Sequence, residues 1–149
     1  MPKLLEQINQ GLARAMKSKD VLTTSVLRML VAAMHNKEIT LRKDGQAELS
    51  DEQAQEAVSS EIKKRRDSVE AYSQGNRQDL VDKENSEIKI LQKYLPEQLS
   101  DGELEKIIQE VIASGVSVFG KIMGQTMAKV KGKADGGKVG ELVKKMLAK

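Results

Sequence analysis

Five apolar residues, Leu104, Ile107, Ile108, Val111 and Ile112, fall at i, i+3, i+4, i+7 and i+8, and versions of that spacing recur in seven segments along the chain. A repeat of three and four places one stripe of a helix against a core, whereas a strand would need strict alternation. Composition agrees. Aromatic residues supply 2% of the 149 positions, with no Trp, one Phe and two Tyr, while Leu, Ile, Val, Ala and seven Met carry the apolar share. Sheets draw on β-branched and aromatic side chains, and the aliphatic set here suits helices. The expected fold class is all-α.

Breakers divide the stripes into elements. Leu4, Leu5, Ile8, Leu12 and Met16 predict a first helix ending before Asp20, which caps a second carrying Val26, Met29, Leu30, Ala33 and Met34. The breadth of that second stripe makes it the helix expected to be most buried, fading near Ile39 into a turn at Lys43-Asp44-Gly45-Gln46. Ser50 with Gln53 has the spacing of a capping box. It opens a third helix through Ala54, Ala57, Val58, Ile62, Val69 and Tyr72 to Gly75, the residue expected to take the left-handed position, after which Asn76 starts a fourth. Leu80, Glu84, Ile88, Leu91 and Leu95 share a side of that helix, which must stop at Pro96.

The phrase Tyr94-Leu-Pro-Glu-Gln-Leu-Ser100 marks a boundary, giving an N-terminal helical domain over 1–96 and a small helical domain over 97–149. In the latter, Ser100 and Glu103 form a second capping-box pattern, Gly115 ends the fifth helix, Ser117 caps a sixth with Phe119, Ile122, Met123, Met127 and Val130 inward, and Gly132 stops it. Asp135 opens a seventh bearing Val139, Leu142, Val143 and Met146. A lobe of this size sits near the lower limit for folding alone.

Zero Cys excludes disulfides, thiolate metal ligands and a Cys nucleophile. The start, Met1-Pro-Lys-Leu-Leu-Glu, turns acidic too early for a signal peptide, and no apolar run approaches a bilayer span. The expectation is a cytoplasmic protein with no membrane contact. His35 is the single histidine, with Glu38 three residues on, and reads as a structural or surface residue. Lys63-Lys64-Arg65-Arg66 is spread around its helix by about 100° per residue, and Glu61, Asp67 and Glu70 stand four positions from Arg65, Lys63 and Arg66. That run is expected to be a solvated helix surface. No Ser-His-Asp set or pair of catalytic carboxylates is legible, and neither a metal nor a cofactor is expected.

Charge is uneven. Residues 1–93 sum to +1, 94–120 to −4, and the last 29 residues, with eight Lys against two acids, to +6. In that basic end, Gly132-Lys-Ala-Asp-Gly-Gly-Lys-Val139 satisfies seven positions of the phosphate-binding pattern G-x-x-x-x-G-K-[ST] and fails at the eighth, and Gly115 to Ile122 misses in the same way. Without the hydroxyl there is no magnesium ligand, and nucleotide hydrolysis is not expected. What survives is an anion site in outline: lysines beside helix starts, whose backbone amides are unpaired. The candidate contacts are Lys121, Lys129, Lys131, Gly132, Lys133, Gly136, Gly137 and Lys138. The alternative is a lysine-rich solvated surface that keeps the lobe soluble. Scarce aromatics argue that nucleic acid would be held by its backbone and not by stacked bases.

Several phrases together resemble the stand-alone proteins of the GatB/YqeY family: Arg28-Met-Leu, Glu61-Ile-Lys-Lys-Arg-Arg-Asp-Ser68, Tyr94-Leu-Pro-Glu-Gln-Leu-Ser100, Gly120-Lys-Ile-Met-Gly124 and Lys131-Gly-Lys-Ala-Asp-Gly136. The resemblance covers essentially the whole chain. It implies an N-terminal four-helix domain followed by a three-helix domain similar to the tail of the GatB subunit of tRNA-dependent amidotransferases, where the tail helps hold tRNA. It therefore implies tRNA as a partner, without catalysis by this chain alone. Two other readings stay open: an adaptor docking its third and fourth helices on an amidotransferase or another protein, and a component of the carbon-nitrogen ligase with glutamine as amide donor that the family label implies.

Overall fold

The computed structural model describes residues 3–46, 48–96, 98–130 and 132–148. All the regular structure among them is helical: α1 Lys3–Lys17, α2 Val21–Lys43, α3 Asp51–Gln74, α4 Gln78–Gln92, α5 Asp101–Ala113, α6 Phe119–Lys129 and α7 Gly136–Leu147. The molecule is all-α. Packing divides it into two compact units, residues 1–95 and 96–149.

The first unit pairs α1 with α2 and α3 with α4, and joins the pairs through a core of Leu4, Ile8, Leu27, Leu30, Val58 and Leu91, among others. Three of its helices stop in the same way. Lys19 (φ +59°), Gly45 (φ +91°) and Asn76 (φ +57°) each turn left-handed, and the following amide donates back across the last turn: Asp20 N to Ala15 O at 2.9 Å, Gln46 N to Leu41 O at 2.9 Å, and Arg77 N to Tyr72 O at 2.9 Å. This is the Schellman closure, which satisfies carbonyls that the helix end leaves open. Both expected N-caps form. Asp20 accepts from Thr23 N at 3.1 Å, and Ser50 and Gln53 exchange bonds of 3.1 and 2.9 Å.

Several details depart from the sequence expectations. Gly75 keeps an ordinary φ of −85°, and Asn76, expected to start the next helix, holds the left-handed position instead, since Asn tolerates it better than most residues with a Cβ. Helix α4 ends at Gln92, earlier than Pro96 requires. The helix that buries the most residues is α3, not α2: it packs on α1, α2 and α4 and buries Ala54, Ala57, Val58, Glu61, Ile62 and Arg65. Met16 and Met29 are half exposed, and Leu27 and Ala15 take the inward places.

Arg65 overturns the solvated reading of its basic run. Lys63, Lys64 and Arg66 face out, but Arg65 is 6% exposed. Its Nη1 donates to Glu61 Oε2 at 2.9 Å and to Glu61 O at 3.0 Å, its Nη2 reaches Met29 Sδ at 3.8 Å, and its Nε faces Glu87 Oε1 at 3.8 Å, too far for a hydrogen bond. Glu61 and Glu87 are buried too. Such a cluster persists only because each charge has an opposite neighbour out of water. Nearby Glu84 has its carboxyl pushed above the usual range, first by burial and then by the Glu87 charge.

In the second unit α5, α6 and α7 pack pairwise around Leu104, Ile108, Ile122, Val130, Val139 and Val143. The Ser100–Glu103 capping box is present, and Gly115 (φ +100°) turns the chain out of α5. Phe119, expected inward, is 39% exposed, and Lys144 Nζ stands 5.9 Å from its ring centroid. The inward place on α6 belongs to Thr126, which is fully buried. Among the described residues no helix is long and apolar enough to cross a membrane.

Candidate nucleic-acid interface

The two Gly-Lys stretches open α6 and α7, and the residue following each lysine explains why both miss the nucleotide motif. Ile122 and Val139, where a hydroxyl would be needed, are fully buried core residues. Each stretch is a helix start whose first inward residue must be apolar, so a hydroxyl there would exchange core for chemistry.

The starts differ. Helix α6 begins on Val118, not on Ser117 as the sequence suggested, and Val118 makes no side-chain cap bond. Gly120 and Lys121 are exposed in this first turn, with open space where a Gly120 Cβ would lie. A valine has no side-chain oxygen to offer the first amides, so the positive end of the α6 dipole lies in the turn that carries exposed Lys121. Helix α7 begins on Asp135, whose carboxylate adds negative charge, followed by Gly136, Gly137 and Lys138. Lys138 Nζ lies 2.7 Å from Asp101 Oδ1 at the start of α5, in a half-exposed pair. An exposed pair of this kind contributes about 0–1 kcal/mol, so Lys138 can exchange Asp101 for another anion at little cost.

Gly132 and Lys133 sit in the turn between α6 and α7. Gly132 needs its glycine, with φ at +72°. Its carbonyl accepts from Gln98 Nε2 at 2.9 Å, the same amide that donates to Pro96 O at 2.8 Å, and Lys133 O accepts from Leu99 N at 2.8 Å. The segment entering the unit is thus fastened to the lysine-rich turn. Lys129 in the last turn of α6 and the Lys133 side chain are exposed, while Lys131 lies outside the described residues. A ring of bonds therefore fixes the backbone of this turn, and Lys129 and Lys133 project from it into solvent.

Motif spacing does not reveal Gln98, whose side chain makes the long-range part of this fastening. Its place in the Tyr94–Ser100 phrase is the available clue.

Comparison with known proteins bears on the same phrases. A sequence profile described as "Yqey-like protein" matches residues 5–147. The chain is 39% identical over 89 residues to "Altered inheritance of mitochondria protein 41, mitochondrial" of Lachancea thermotolerans, which covers 59% of this chain and 46% of that protein. It is 26% identical over 136 residues to the protein of the same name from Pyrenophora tritici-repentis, covering 88% and 73%. A shorter match, 44% identical over 57 residues, is to a glutamyl-tRNA(Gln) amidotransferase component of Thermococcus sibiricus, covering 33% of this chain and 9% of that one. The chain thus spans about half the length of the first relative and under a tenth of the amidotransferase component. The profile match runs through both units and every helix, and on it the chain belongs to the YqeY-like family.

Proposed function

We propose that this protein is a tRNA-associated accessory protein that binds and does not itself transform the nucleic acid, and that its second unit carries the contact. The observation carrying this reading is the uncapped start of α6, with exposed Lys121 beside it, in a segment whose last 29 residues sum to +6. Backbone amides and ammonium groups recognise phosphate without reading bases, which suits a surface poor in aromatics. The partial likeness to an amidotransferase component named for glutamyl-tRNA(Gln) supports tRNA as the polyanion.

The test is filter binding of a tRNA across a salt series, comparing the parent chain with a variant carrying Lys121→Glu, Lys129→Glu and Lys133→Glu. For each phosphate that is no longer neutralised, the slope of log K against log salt should flatten by roughly 0.7–0.9, so the triple variant should bind more weakly and with a visibly shallower slope. Identical slopes for parent and variant would remove the second unit from tRNA contact.

A further inference from the structure

Four of the large apolar side chains that the fold leaves in water lie within one corner of the first unit: Met16 at 50% exposure, Val21 at 80%, Leu22 at 37% and Met29 at 52%. Met16 lies in the last turn of α1, and the others are exposed positions of α2, which buries Val26, Leu27 and Leu30. Met16, Val21 and Met29 line a groove of about 530 Å³ whose remaining lining is Lys19, Thr24, Ser25 and Arg28. Single exposed apolar residues are ordinary, but a contiguous set around a concavity marks an interaction surface.

The rim is mainly cationic. Lys17, Lys19 and Arg28 stand around the corner, all exposed. The one acid between them, Asp20, caps α2, accepting from the backbone and hydroxyl of Thr23 at 3.1 and 2.8 Å, and keeps its negative charge, so cations outnumber acids on the rim three to one. Behind the groove, Arg65 holds Met29 by its sulfur, and Arg28 Nη2 lies 4.0 Å from Met16 Sδ. Both methionine sulfurs therefore touch guanidinium groups while the side chains stay half exposed. Flexible thioethers suit a surface that receives another protein's apolar side chains.

We propose that this corner is a docking groove for an acidic amphipathic helix of a partner protein, with the apolar stripe of that helix on Val21 and Met29 and its carboxylates on Lys19 and Arg28. Charge complementarity selects the occupant. A rim with more cations than acids around an apolar floor favours carboxylates flanking apolar residues and disfavours a basic helix. A lipid surface is less suited, because the corner is concave and carries none of the aromatic anchors that seat proteins at a bilayer interface. Phosphate chains have no use for its apolar floor. The site belongs to a different unit from the α6 start proposed for tRNA, and is lined by α1, α2 and the turn between them, whereas the adaptor considered on sequence grounds would dock on α3 and α4.

The probe is a synthetic amphipathic peptide of about four turns with leucines at i, i+3, i+4 and i+7 flanked by glutamates, titrated by fluorescence anisotropy against the full chain. A second peptide has lysines in place of the glutamates. The acidic peptide should bind at least about tenfold more tightly than the basic one, and Val21→Asp or Met29→Asp should remove most of that binding. Arg28→Glu should invert the preference between the two peptides, a result that loss of folding cannot produce. Equal affinity for both peptides, no binding of either, or binding untouched by the Val21 and Met29 variants overturns the proposal. So does binding of phosphatidylserine vesicles, or self-association in sedimentation, that is lost with Val21→Asp while the acidic peptide fails to bind.

Discussion

The two units solve the same problem with different means. The first has four helices, two of more than twenty residues, and encloses Arg65, Glu61 and Glu87 within its α3–α4 interface. The second has three helices of eleven to thirteen residues, and its buried cluster is aliphatic, with Thr126 as the polar intruder among the described residues. A larger core can surround an ion cluster with enough packing to offset desolvation, whereas a small one removes too little surface from water to carry that cost. In the second unit the charges stand outside, where they can meet a ligand. Charge placement, more than helix content, is what distinguishes the two units.

The contrast breaks most sharply at Glu61. Glu61→Ala leaves the Arg65 guanidinium buried with Glu87 too distant for a hydrogen bond, and should cost about 3–5 kcal/mol, measured by urea denaturation. A loss below about 1 kcal/mol would place Arg65 in water and erase the difference between the units. Next comes the packing of α1. A Cβ on Gly11 would collide with the Tyr94 hydroxyl, so Gly11→Ala should cost roughly 1–3 kcal/mol, and adding Tyr94→Phe should recover most of the loss. The Tyr94 hydroxyl is itself pushed above its ordinary pKa by burial.

In the second unit the sign should reverse. The Thr126 hydroxyl is buried and makes no hydrogen bond among the described residues, so Thr126→Val should stabilise by about 1 kcal/mol, seen as a higher midpoint for that unit. The smallest effect belongs to Glu84. Its carboxyl binds a proton more tightly when folded than when unfolded, so stability falls as pH rises through the ordinary glutamate range toward the raised value. Glu84→Gln should therefore help at pH 7 by about a few tenths of a kcal/mol, since water screens the site, and should have no effect well below that range. Paired thermal melts at the two pH values give the comparison.

All seven helices are legible in the sequence, because caps and stripes are local. Ser50–Gln53 and Ser100–Glu103 lie three residues apart and need nothing else to act. Misreadings arise where distant elements decide. Arg65 reads as solvated beside three other cations, yet its place in the series Ala54, Ala57, Val58, Glu61, Ile62 puts it on the inward face, and α4 supplies the buried Glu87 opposite it. Hydrophobicity assigns Phe119 inward, but the register of α6 buries Ile122 and Thr126 instead. At the candidate interface, the exposure of Lys121, Lys129 and Lys133 follows from the helix starts and stops. The Lys138–Asp101 pair does not, since the partners are 37 positions apart and only the packing of α5 and α7 brings them together.

The Gln98 side chain has two amide hydrogens and spends them on carbonyls 36 residues apart, Pro96 and Gly132. A pull on the chain at residue 95 would thus load the Gly132–Lys133 loop before it loads any helix of the unit. One side chain thereby couples the first residues of the second unit to the turn that separates its last two helices.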